Sequence, residues 1–224
     1  MGNGTILSVK SNYNQVAKCY DKLYSTKRHK VEDKIIFNIN PRLTTLDLGC
    51  GTGTLLTYNP LPRNKYMGFD LSKEMVKIAK IKHRKNQIFC RDLKSYNPPF
   101  KYQQIVGIFG IMNYIGPRRI CTILKQNLKP EGVFYFVNYN PSTYKPLAHK
   151  SKIGERKITE ETIKKVFGKH FDVNIQYFSQ DLGKYEKILP SFCLSIIYKL
   201  NMVFGINRNA RYMIVRGKWL KENI

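Results

Sequence analysis

Leu46-Asp47-Leu48-Gly49-Cys50-Gly51-Thr52-Gly53 reads as the end of a short buried strand, an acid, and a GxGxG loop. Glycines at that spacing let the backbone turn sharply at a strand end and let a ligand lie directly against it. The strand begins near Leu43, and the next one, Lys65–Phe69, is followed by Asp70. A carboxylate there can take both hydroxyls of a ribose. Gln87–Cys90 reads as a third strand and delivers Asp92, placed to accept from an adenine amino group. All three acids fall at strand carboxyl ends, the edge at which open α/β sheets bind ligands. The alternative reading makes Asp47, Asp70 and Asp92 helix caps or turn formers. A dinucleotide fingerprint would need two residues before its last glycine, and Asp47 would oppose a pyrophosphate. No Gly-Lys-Ser/Thr follows, which excludes a Walker A loop.

Strands alternate with helical segments along the rest of the chain, the pattern of a mostly parallel sheet covered on both faces. Residues 13–39 read as two helical pieces stopped at Asn40-Pro41. Ser72 can cap a helix with Met75, Ile78 and Ala79 inward and Lys73, Lys77, Lys80 and Arg84 outward. Gln104–Phe109 is a fourth strand, Pro117 opens a helix ending at Lys129-Pro130-Glu131-Gly132, and Val133–Val137 is a fifth. After a polar stretch, Thr159 caps a helix reaching about Phe167. Val173–Phe178 and Tyr212–Val215 follow as final strands, with an insertion of residues 179–208 between them. The expected organisation is one domain: residues 1–40 as a helical lid, 41–137 as a cofactor-binding core, and 138–224 as a substrate-side half.

The chain has 224 residues, of which 42% are hydrophobic and 24% charged, an ordinary globular composition that excludes wholesale disorder. Its 39 Lys and Arg against 15 Asp and Glu give +24. That balance suits RNA phosphates or an anionic bilayer, or reflects the Lys-rich text of an AT-rich genome. No secretory signal is visible, and Ile6 spoils a myristoylation motif, so a cytoplasmic protein, peripheral to a membrane at most, is expected. The five cysteines show no CxxC and no metal-ligand spacing, which predicts reduced, mostly buried thiols and no metal. The apolar run 188–206 is broken by Pro190, Lys199 and Asn201 and makes a poor transmembrane span.

On the loop and the three acids, the chain resembles the class I S-adenosylmethionine-dependent methyltransferases from about Tyr20 to Val137. Ser72-Lys73-Glu74-Met75-Val76-Lys77-Ile78-Ala79 resembles the Ser-x-x-Met-x-x-x-Ala of their small-molecule branch. Tyr20-Asp21-Lys22-Leu23-Tyr24 is similar to its N-terminal lid segment. Lys129-Pro130-Glu131-Gly132 is similar to its turn before strand five, with Glu131 where a second glycine is usual. The resemblance implies a Rossmann-like, seven-stranded, mostly parallel sheet with a helical lid and an insertion before the last strand. It also implies a cofactor, S-adenosyl-L-methionine, leaving as S-adenosyl-L-homocysteine. Asp47 with Gly49, Cys50, Gly51, Thr52 and Gly53 would hold its methionine part, and Asp70 its ribose. Leu71 and Met75 would pack on the adenine, Asp92 and Leu93 would read its edge, and Tyr20 would close over it.

Phe109-Gly110 would then flank the transferred methyl, with Asn113 or Tyr114 toward the acceptor. Many relatives of that branch carry a His at this point and this chain has none. His149, Tyr139 and Tyr144 are further candidates for a base. Asn97-Pro98-Pro99-Phe100 mimics the motif of amino-group methyltransferases, but it precedes strand four and reads as a turn. The insertion holds Phe192, Ile196, Leu200 and Val203 amid lysines, so it either packs as helices or faces a lipid-like acceptor or membrane. The expected activity is methyl transfer to an O, N or C atom of a small or lipid-like acceptor. The alternatives are an RNA methyltransferase and a non-catalytic cofactor-binding partner protein.

Overall fold

The computed structural model describes residues 4–143, 157–204 and 210–220. Helices α1 (Gly4–Leu23) and α2 (Lys27–Ile36) precede β1 (Thr45–Leu48) and the short α3 (Thr54–Tyr58). β2 (Tyr66–Asp70), α4 (Lys73–Lys82), β3 (Gln87–Cys90) and β4 (Tyr102–Ile108) follow. Next come α5 (Ile111–Ile115), α6 (Pro117–Asn127), β5 (Leu128–Tyr139) and α7 (Glu160–Phe167). The last part is β6 (Phe171–Gln180), α8 (Tyr185–Ile188), α9 (Ser191–Phe204) and β7 (Ala210–Trp219).

The seven strands form one sheet in the order β3-β2-β1-β4-β5-β7-β6. The β1, β2, β3, β4 and β5 pairings are parallel, and β7 runs antiparallel between β5 and β6. This is a Rossmann-like α/β domain with helices on both faces. The chain winds outward from β1 to β3 and then returns to lay β4 on the other side of β1. That reversal opens a crevice at the carboxyl ends of β1 and β4.

Side-chain alternation sends β-strand residues into two cores. Val106, Ile108, Tyr135 and Val137 pack beneath α2, α3 and α9, whereas Ile105, Phe134 and Phe136 pack beneath α5, α6 and α7. Each fully buried side chain of this size contributes about 1.5–3 kcal/mol of transfer free energy. Thr26, Ser72 and Thr159 cap α2, α4 and α7 by accepting from His29, Met75 and Thr162 N–H. Along α4, Met75 and Ala79 turn inward with Val76, while Ile78 is only half-buried.

Several boundaries differ from the periodicity. α1 starts at Gly4, and β6 and β7 run longer than their apolar cores because each also pairs through polar positions. β5 begins at Leu128, and Lys129-Pro130-Glu131-Gly132 belongs to it. Leu128 pairs with Tyr102 and Val133 with Gln104, so those four residues bulge opposite one. Only Cys50 and Cys121 are buried, while Cys90 and Cys193 are half-buried and Cys19 is exposed. Among the described residues there is no metal-ligating cluster, and no helix is long and apolar enough to cross a membrane.

Candidate functional site

Two adjoining cavities open at the crevice, sharing Tyr20, Gly49, Gly51, Ile108 and Phe109. Both rest on the loop after β1. Gly49, Gly51 and Gly53 all have positive φ, and a Cβ at Gly51 would project into open space. At Gly53 the same atom would stand 2.6 Å from the His83 ring. The Gly51 N–H donates to Asp70 Oδ2 at 2.9 Å, and the Ser72 N–H donates to Asp70 Oδ1 at 2.8 Å. Burial nevertheless raises the Asp70 carboxyl above its usual range, against the pull of those N–H donors.

The first cavity extends along the ends of β2 and β3. Leu71, Met75 and Leu93 supply apolar wall, while Asp70 and Asp92 supply carboxylates. Asp92 also forms a turn, its Oδ1 accepting from the Lys94 N–H at 2.9 Å. α1 crosses above and contributes Tyr13 and Tyr20. It is fastened at three points. The Tyr13 and Tyr114 hydroxyls are 2.8 Å apart, and Ser72 Oγ donates to Asn14 Oδ1 at 2.6 Å. Thr52 Oγ1 donates to Asp21 Oδ1 at 2.6 Å, and Lys82 Nζ reaches the other oxygen at 2.5 Å.

The second cavity lies over β1, α2 and α3. Asp47 is buried in its wall and receives the Tyr66 hydroxyl at 2.8 Å. Burial pushes its carboxyl up to about 7, with Tyr66 opposing the shift. Cys50, Thr52 and the aromatic rings of Tyr24, Phe37, Tyr139 and Tyr212 line it too. Phe109, at φ 65, breaks β4 and aims into this cluster, with ring centroids 5.4 Å from Tyr212 and 5.9 Å from Phe37. A non-glycine residue held there is strained, a mark of functional sites.

The loop, Asp47, Asp70, Asp92, Leu71, Met75, Leu93, Tyr20 and Phe109 thus line the two cavities. Gly53 supports the loop from behind, and Gly110 (φ 98) turns the chain after Phe109. Asn113 and Tyr114 line the first cavity, beside Asp70 and Asp92 rather than beside Asp47. Tyr139 lines the second, whereas Tyr144 and His149 lie outside the described residues. Asn97 is held by Arg119, which donates to its Oδ1 at 2.7 Å. The Asn127 amide donates to the Pro98 and Phe100 carbonyls, so this stretch is a turn that lines neither cavity. Among the lining residues that the sequence leaves unmarked are His29, Asp33 and Tyr212. The first two, with Phe37, recur every fourth residue and so share one helix face, the one periodic signal available.

Beside the second cavity sits a buried ionic network. Arg28 donates to both Glu32 oxygens at 3.0 Å, and the Tyr212 hydroxyl donates to Glu32 Oε2 at 3.2 Å. Ser179 also donates to Glu32. Arg211 pairs with Glu186 at 2.5 Å and with Asp181 at 2.7 Å. These bonds tie α2 to the β6–α8 turn and to β7.

Residues 45–132 match the family described as "Methyltransferase domain". The chain is 28% identical to the uncharacterized protein MJ1252 of Methanocaldococcus jannaschii, covering 90% of this chain and 80% of that one. It is 26% identical to malonyl-[acyl-carrier protein] O-methyltransferase 2 of Ilyobacter polytropus, with the same coverage of 90% and 80%. Among solved structures, the DhpI–SAH complex superposes with a TM-score of 0.66 at 13% identity, over 99% of this chain and 100% of that one. A possible histamine N-methyltransferase from Thermotoga maritima gives 0.64 at 14% identity, over 93% and 98%. On that match and that shared fold, the chain is similar to the class I S-adenosylmethionine-dependent methyltransferases.

Proposed function

We propose that the two cavities hold S-adenosylmethionine and a small or lipid-like methyl acceptor, the adenosine in the first and the methionyl end with the acceptor in the second. The carrying observation is the donor set. Two carboxylates flanked by Leu71, Met75 and Leu93 fit a ribose and an adenine. Asp47, buried with no Lys or Arg among the described residues that line its cavity, fits an ammonium. When bound, the cofactor supplies a methyl group on a positively charged sulfur. Asp70, pinned by the Gly51 and Ser72 N–H groups, orients the ribose. Asp92 and Leu93 read the adenine edge, with Leu71 and Met75 against the ring. Gly49, Cys50, Gly51 and Thr52 pass beside the methionyl chain, while Gly53 lets the loop turn. Phe109, Gly110 and Tyr20 separate the two halves and exclude water. Such a displacement depends chiefly on positioning. Equilibrium binding of adenosine and S-adenosylhomocysteine tests the arrangement: Asp70→Ala should weaken both, whereas Asp47→Asn should weaken only S-adenosylhomocysteine. Equal losses for Asp47→Asn would contradict it.

A bilayer surface is the partner that α8 and α9 favour over RNA. Phe192, Ile196, Leu200 and Val203 are exposed along one face of α9, continued by Tyr185 and Ile188. Leu194, Tyr198 and Asn201 are buried on the other face. The one charge on α9 is Lys199, which falls within the exposed stripe, and Lys184 and Lys187 flank it. The protein should co-sediment with phosphatidylserine vesicles and not with phosphatidylcholine vesicles, and Ile196→Glu should abolish this. Dimerisation through the stripe, or binding indifferent to Ile196→Glu, would refute it.

A further inference from the structure

The charge inventory of the second cavity runs against that of the whole chain. Lys and Arg outnumber Asp and Glu by 39 to 15, yet among the described residues the cavity is lined by Asp33 and Asp47 and by no Lys or Arg. Arg28 donates to Glu32, and Arg211 pairs with Glu186 and Asp181, although the Arg28 charge is also felt at Asp33. His29 supplies no cation either. Arg28 donates to its Nε2 at 2.7 Å, which requires that nitrogen to be unprotonated, and its Nδ1 is 2.9 Å from Thr26 Oγ1. Aromatic faces complete the wall: Tyr20, Tyr24, Phe37, Phe109, Tyr139 and Tyr212. Rings with buried carboxylates, and no Lys or Arg among the described lining residues, form a receptor for positive charge.

One acid is already accounted for, because Asp47 on β1 serves the cofactor's ammonium under the reading above. Asp33 is not. It is carried by α2, is 7% exposed, and receives the Tyr58 hydroxyl from α3. A buried carboxylate with so few partners is costly unless a cation joins it.

We propose that the acceptor is a cationic amine, and that Asp33 binds its ammonium and takes its proton. This rests on the cofactor assignment above. The ammonium gives one proton to the Asp33 carboxylate, leaving a neutral nitrogen with its lone pair. That nitrogen forms the new N–C bond as the methyl's C–S bond breaks, the electron pair of that bond remaining on sulfur. The methylated nitrogen leaves as an ammonium, and Asp33 returns its proton to water. A carboxylate acceptor would instead meet two buried acids.

Benzylamine, benzyl alcohol and benzoate share one ring and differ in charge, so they serve as probes. Each is titrated into the protein alone and into the protein saturated with S-adenosylhomocysteine, with binding read by calorimetry. Benzylamine should bind at least tenfold more tightly than benzyl alcohol, and benzoate weakest. Asp33→Asn should erase the preference while S-adenosylhomocysteine affinity stays within about twofold, which also shows that the variant is folded. Tyr139→Leu, on the aromatic wall, should weaken benzylamine several-fold more than it weakens S-adenosylhomocysteine. Absence of benzylamine binding, or equal binding of the three probes, would overturn the proposal. So would a loss of S-adenosylhomocysteine affinity in Asp33→Asn, since that would assign Asp33 to the cofactor. Failure of S-adenosylhomocysteine to bind the wild type would instead strike the cofactor assignment itself.

Discussion

The Gly51 N–H donates to Asp70 Oδ2 at 2.9 Å, so the loop after β1 and the acid after β2 form one unit rather than two neighbouring features. Gly51 has φ 54 and open space where a Cβ would stand. Gly51→Ala should therefore cost only about 1–2 kcal/mol of stability, the penalty of a left-handed L-residue, yet weaken S-adenosylhomocysteine at least tenfold by obstructing the cavity. Gly53→Ala should destabilise more, because His83 must also move. Urea unfolding beside calorimetry separates the two effects, and a Gly51→Ala protein that binds normally would contradict this picture.

α1 is held to the core by Tyr13–Tyr114, Asn14–Ser72 and Asp21–Thr52. The Asp21–Lys82 pair is half-exposed and adds little stability. Asp21→Ala also leaves the buried Thr52 hydroxyl without its acceptor, so it should cost about 1–3 kcal/mol of stability while speeding S-adenosylhomocysteine release several-fold in stopped-flow fluorescence. An unchanged release rate would show that α1 does not gate the site.

The buried acids predict a pH dependence. Asp33 is pushed up to about 7 by burial, then by the Glu32 charge, against Tyr58 and Arg28. Asp47 is pushed up to about 7 by burial, against Tyr66 and with a small push from Asp70. Carboxyls raised on folding make the native state bind more protons, so their stabilisation is present at low pH and is lost as pH rises through about 4–7. His29, pushed down to about 4 by burial and then by Arg28 and Arg211, acts in the opposite sense below its unfolded value of 6.5. The clean comparison is therefore between about pH 6.5 and pH 8, where the free protein should be less stable at the higher value. Asp33→Asn should shrink that difference in chemical denaturation. Equal or greater stability at pH 8 would contradict the assignment.

Much of this site is legible in the chain because its residues are local to strand ends. The loop after β1, Asp70 and Asp92 announce themselves by position, since a strand's carboxyl end is set by its apolar run. Asp33, His29 and Tyr212 are silent, because they reach the cavity only after α2 folds over β1 and β7 inserts between β5 and β6. Their meaning lies in long-range packing. The strand β5 hides differently: Lys129-Pro130-Glu131-Gly132 has turn chemistry, yet its neighbours Leu128 and Val133 both pair with β4. α9 is ambiguous for a further reason, as its periodicity is apolar on both faces.

That ambiguity yields a stability contrast. Leu194 is fully buried beneath α9, whereas Ile196 is 52% exposed. Leu194→Ala should cost about 2–5 kcal/mol, and Ile196→Ala should fall within about 0.5 kcal/mol of wild type. Comparable losses in thermal unfolding would show that the exposed face is covered.

The most direct measurement is calorimetric titration of the wild-type chain with S-adenosylhomocysteine, repeated on Asp70→Ala, with NAD as the control ligand. Tight binding to the wild type, weakened in Asp70→Ala by about 1.5–3 kcal/mol as befits a lost charged hydrogen bond, with NAD silent, is the predicted result. Absence of binding, or a preference for NAD, would contradict the account at its root.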